Sequence, residues 1–125
     1  MTSEQELAGF IRSTFPSIWS LELLLFLRAH RDRSWSQAEM VRSLRGSELV
    51  VARSAQALLA AGLVDVAADG AARYGPVTPE LDGKVDAVAR EYARSPDAIR
   101  RAIVLGATGG GDLAAFADAF RLRKD

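Results

Sequence analysis

Between Ile18 and Ala29 the chain reads IWSLELLLFLRA, with only Ser20, Glu22 and Arg28 as polar breaks. Ser17 stands before it as an N-cap, its hydroxyl suited to accept a free N–H of the first turn. A helix that is apolar around most of its circumference has to be buried on more than one side. The other elements must therefore wrap around this segment. With 125 residues, 49% of them apolar and 26% charged, the chain has the length and composition of one soluble domain. One core is what it can build.

The neighbours can be read from spacing and punctuation. Leu7, Phe10, Ile11 and Phe15 recur at helical spacing after Ser3, and Pro16 ends that helix by disfavouring the α region in the residue before it. Ser36 and Glu39 form a capping box for a helix carrying Ala38, Met40, Val41 and Leu44, which is expected to stop at Gly46. Ser47 caps the next helix, predicted to run to about Ala61 with Val51, Ala55 and Leu58 inward, and Gly62 terminates it. Residues 63–67 alternate as a strand, Asp69-Gly70 makes a hairpin turn, and Ala72-Arg73-Tyr74 returns. A fifth helix places Leu81, Val85, Val88 and Tyr92 in one stripe. Ser95-Pro96 opens a sixth, with Ile99 and Ile103 inward.

The order is a buried helix, a polar link containing Trp35, a short capped helix, a tight turn, a longer helix and a hairpin. That is the order of a winged helix-turn-helix, with its core at residues 17–76. The stretch SWSQAEMVRSLRGSELVVARSAQALLAAGLVDV resembles the core of MarR-like and related bacterial transcriptional regulators. In those families a glycine followed by an apolar pair starts the wing, as Gly62-Leu63-Val64 does here. The resemblance covers about half the chain. It implies a mainly α fold with a small β-hairpin, flanking N- and C-terminal helices used for dimerisation, and double-stranded DNA as the partner of a homodimer. Residues 1–105 are thus read as a winged-helix domain with helical extensions. Residues 106–125 are read as a glycine-rich linker and a short amphipathic helix showing Leu113, Phe116 and Phe120.

Net charge is zero, 16 basic against 16 acidic residues, but it is unevenly spread. Residues 28–53 hold six arginines against three acids, a net of +3. In such a fold the second helix of the pair enters the major groove while the first braces it. By analogy residues 47–61 are the reader. Arg53 then forks onto guanine and Gln56 onto adenine, the pairings that bidentate geometry favours. Arg42, Arg45 and Ser47 are placed for phosphates, and Arg73 on the wing for the minor groove or backbone. Glu48, Asp65 and Asp69 work against DNA, and Leu49 and Val50 read no base by hydrogen bonding. The alternative is a protein-docking face on Leu49 and Val50, with Phe116 and Phe120 as a second contact.

Other chemistry is poorly provided for. Cysteine is absent and His30 is the single histidine, so thiolate nucleophiles, disulfides and a histidine-based metal site are excluded. No enzyme, cofactor or metal is expected. The glycines of IVLGATGGGDLAAFADAF lack both the third glycine of a dinucleotide fingerprint and a following strand with its ribose-binding acid. Trp19 and Trp35 are read as core packing, and His30 as a solvated residue at a helix C-terminus. The N-terminus has no basic n-region, and the longest apolar run, Leu23 to Leu27, is far too short to cross a bilayer, so a cytoplasmic protein is expected.

Overall fold

The first turn of the chain is made by Pro16. In the computed structural model, which describes residues 4–109, α1 (Glu4–Thr14) and α2 (Ile18–Ala29) meet there at 103°. Ser17 and Ser20 close a reciprocal capping box at the start of α2. After a polar link come α3 (Gln37–Leu44), α4 (Glu48–Ala60), β1 (Val64–Val66), β2 (Ala72–Tyr74), α5 (Pro79–Arg94) and α6 (Pro96–Gly109). The described residues are therefore mainly helical, with one small antiparallel sheet in the register Val64↔Tyr74, Asp65↔Arg73, Val66↔Ala72.

The all-round apolar α2 is the centre of the core. It packs against α3, α4, β2 and α6, and Leu21, Leu23, Leu24 and Leu27 are fully buried. On one side α4 supplies Val51, Ala55 and Leu58, all inward as the spacing predicts. On the other side α1, α5 and α6 pack on one another, burying Ile11, Phe15, Val85, Val88, Ile99 and Ile103. The apolar stripes of these flanking helices are thus used within one chain. Polar contacts fix α5 in place: Arg28 pairs with Asp86 at 2.7 Å, the Tyr74 hydroxyl donates to Asp82 at 2.6 Å, and the Tyr92 hydroxyl donates to Glu22. Burial, and then the hydrogen bond to Asp82, push the Tyr74 phenol well above the usual tyrosine range.

The hairpin closes as its turn residues dictate. The Gly70 N–H donates to the Ala67 carbonyl, Gly70 takes the left-handed φ of +92° that its missing Cβ permits, and the Asp69 carboxylate accepts the Ala71 N–H. β1 is three residues rather than the expected five: Leu63 bonds through its backbone to Leu58 and Gly75, and Ala67 bonds to Ala71 and Gly70 in the turn. A further pairing was not anticipated from sequence. Trp35, in the link before α3, exchanges both backbone hydrogen bonds with Ala72, at 2.8 and 2.9 Å. The link is thereby a one-residue third strand beside the hairpin.

Two boundaries differ from expectation. α6 continues to Gly109, four residues into the segment read as a linker from Gly106, so the start of the glycine run is helical. The expected terminal helix with Leu113, Phe116 and Phe120 lies outside the described residues. α3 ends at Leu44 rather than at Gly46, and the residue in left-handed conformation is Arg45, with φ 58° and ψ 33°. Gly46 is small for another reason. A Cβ there would lie 3.2 Å from the Trp19 ring.

Candidate nucleic-acid interface

The geometry of α3 is set before it begins. Glu39 accepts the Ser36 N–H at 2.8 Å while Ser36 Oγ accepts the Glu39 N–H, completing the capping box. Arg33 forks onto the same carboxylate at 3.2 and 3.0 Å, and its guanidinium lies 3.5 Å from the centroid of Trp35. The Arg33 bonds, and then that from the Ser36 backbone, hold the Glu39 carboxyl down to about 2. Trp35 donates its indole N–H to the His30 carbonyl and packs edge-on to Phe26. His30 is exposed, with its ring against Phe26 and Trp35, rather than merely solvated. Trp19 corrects the sequence reading further: it is 38% exposed, lying over Gly46 instead of in the core.

The turn into α4 passes through Arg45, whose N–H caps α3 by donating to the Val41 carbonyl at 2.8 Å. Ser47 Oγ accepts the Val50 N–H at 3.1 Å, so its lone pair is engaged in capping while its own proton is free to donate. Gln37 braces the start of α4 from beside, donating to the Glu48 carbonyl at 3.3 Å, and its Oε1 lies against the wing turn at Gly70. One side chain thus ties α3 to α4 and abuts the hairpin turn. Nothing in its sequence context marked it.

On α4 the buried side is Val51, Ser54, Ala55 and Leu58. Leu49, Arg53 and Gln56 share the opposite side by helical spacing, and all three are exposed. They flank different hollows. Gln56 lines a cleft of about 100 Å³ with Gln37, Ala52, Val66 and Gly70, between α3, α4 and the hairpin. Arg53 lines a shallower groove of about 320 Å³ with Pro16, Trp19 and Val50. Val50 is half-buried, so the apolar pair expected at this tip is in fact one exposed side chain, Leu49.

The arginines divide into two groups. Arg28 and Arg33 have carboxylate partners, as do Arg90, Arg94 and Arg100 on α5 and α6, while Arg31 lies 5.5 Å from the Tyr74 ring centroid. Arg42, Arg45, Arg53 and Arg73, like Arg12 on α1 and Arg101 on α6, are exposed and have no ion-pair partner among the described residues. Arg42 and Arg45 stand at the end of α3, Arg53 on the outer side of α4 and Arg73 on β2. Asp65 faces Arg73 across the hairpin, and Glu48 stands exposed in the first turn of α4. Asp69 is occupied in shaping the hairpin turn. No protein-family model, curated protein or solved structure matches the chain.

Proposed function

We propose that this chain is a DNA-binding transcriptional regulator, acting in the cytoplasm as a homodimer and reading duplex DNA with a winged helix-turn-helix. The observation that carries the reading is that Arg42 on α3, Arg45 in the turn, Arg53 on α4 and Arg73 on β2 are exposed and unpaired, whereas Arg28 and Arg33 of the same basic stretch are neutralised by carboxylates. The Trp35–Ala72 bridge adds support, because it makes the element order helix, strand, helix, helix, strand, strand.

In this reading α4 lies in the major groove. Arg53 forks onto guanine and Gln56 onto adenine. Arg42 and Arg45 contact phosphates beside the free proton of Ser47, and Arg73 reaches the minor groove or backbone next to the wing. Gln37 sets the angle between wing and helix. No cofactor, metal or covalent chemistry takes part. Three phosphate-directed arginines per subunit make about six contacts per dimer, and affinity then falls roughly 10³-fold between about 50 and 200 mM salt.

The test is fluorescence anisotropy against genomic fragments at those two salt concentrations, with sedimentation to weigh the complex. Arg42→Ala weakens all sequences alike, whereas Arg53→Ala relaxes choice at one position. No binding at micromolar protein and low salt overturns the proposal. Leu49, 58% exposed, favours a second reading in which α4 docks a protein partner. A pull-down in which Leu49→Asp loses a partner that wild type retains, with no DNA bound by either, supports that reading instead.

A further inference from the structure

We infer that Leu49 reads the 5-methyl group of a thymine in the major groove. The inference rests on the DNA-reading function proposed above and names part of its target. Leu49 is the second residue of α4 and is 58% exposed on the side opposite the core. The N-terminal residues of a reading helix are those that meet base edges.

The surroundings select the occupant. Leu49 is the one large apolar side chain exposed in the first two turns of α4. Arg53 and Gln56 follow it on the same side, Ser47 and Glu48 precede it, and Val50 turns away toward Trp19 and Pro16. Protein-docking anchors sit in clusters ringed by near-neutral contacts. A single exposed leucine with the unpaired Arg53 one turn on and Gln56 beyond it suits a surface that is anionic outside and carries one small apolar group within. B-DNA is such a surface, and thymine's methyl is the apolar group its major groove displays. Arg53 stands one helical turn beyond Leu49, so the thymine lies within roughly two base steps of the base Arg53 contacts.

The experiment begins with selection of bound duplexes from a random pool by the full chain. Each thymine of the selected site is then replaced singly by deoxyuridine, which removes the methyl group and leaves every hydrogen-bonding edge intact. Wild type is expected to lose about three- to fivefold in affinity at one thymine, the size of one buried methyl group, and little at the others. Leu49→Ala is expected to bind the thymine and deoxyuridine forms of that position equally. Since Leu49 is exposed, this variant keeps its fold, and Leu49→Met retains the discrimination. Equal losses in wild type and Leu49→Ala, or no loss at any thymine, overturn the inference while leaving DNA binding intact. A pool from which no duplex is recovered overturns the DNA reading itself, and this inference with it.

Discussion

Replacing Arg45 by glycine is expected to make the protein more stable and, on the function proposed above, a poorer DNA binder at once. Arg45 is the one non-glycine residue with positive φ among those described. An L-residue in left-handed conformation costs roughly 1–2 kcal/mol from the clash of Cβ with the following carbonyl. Glycine removes that cost but widens the unfolded ensemble by about 0.5–1 kcal/mol. The net gain is about 0.5–1 kcal/mol, which raises Tm by roughly 2–6 °C in a domain of this size. Arg45→Ala loses the same charge and keeps the strained backbone, so its stability should stay near wild type. Both variants should flatten the salt dependence of DNA binding, by about one counterion per subunit. Urea unfolding with an unchanged slope, set beside anisotropy titrations, reads both effects. If glycine and alanine are equally stable, or glycine is the less stable, the left-handed cap is not a site of strain and the reasoning fails. If both variants bind DNA as wild type does, Arg45 carries its strain without contacting phosphate.

Leu58 is fully buried between α4 and α2, so Leu58→Ala should cost about 2–5 kcal/mol in urea unfolding; a loss under about 0.5 kcal/mol would contradict the facing of α4. Gly62 has φ +77°, and a Cβ there would meet Val77 Cγ2 at 3.0 Å, so Gly62→Ala should destabilise by about 1–3 kcal/mol, measured the same way. Glu39 is held at about 2 against an ordinary value of 4.5, so its contribution is present above about pH 4.5 and lost as pH falls toward 2. Thermal melts between pH 5 and 2.5 should therefore fall more steeply for wild type than for Glu39→Gln, and parallel curves would remove the capping box from the acid response.

Elements governed by local chemistry were legible in the chain. Ser17, Ser36 and Ser47 cap the helices they precede, because a serine hydroxyl at that position has donors of the first turn within reach whatever the tertiary context. The inward stripe of α4 followed from spacing alone. What escaped was set by contacts between distant segments. Trp35 becomes a strand residue only because Ala72 arrives beside it, and no window around position 35 contains position 72. Gly46 looks like a helix terminator in one dimension. In three it is the place where Trp19 of another helix lies against the backbone, and that leaves Arg45 to supply the left-handed residue. Trp19 was misread for the same reason, since an aromatic that covers a turn and one that fills a core have the same local spacing.

The candidate site rests on composition in the sequence and on pairing in the structure. Six arginines between 28 and 53 suggest a basic surface, yet charge counted along a chain ignores which carboxylates fold back onto it. Asp86, 58 residues away from Arg28 in sequence, removes one of the six. Glu39 removes Arg33, and in doing so fixes the start of α3 and places Trp35 under the guanidinium. Arg31 is drawn onto Tyr74. What remains is Arg42 and Arg45 at one end of the helix pair and Arg53 on its outer side. To these the hairpin adds Arg73, which lies outside the basic stretch altogether. An arginine held by a carboxylate partner has less of its fork left for a phosphate. These four therefore have more of their fork to offer an anionic partner than Arg28 and Arg33 do. Reversing that division offers a direct trial of the argument: Arg33→Ala should disturb α3 and melting temperature more than DNA affinity, and Arg42→Ala the opposite. Equal effects on both quantities from both variants would mean that pairing does not separate arginines that hold the fold from those that meet DNA.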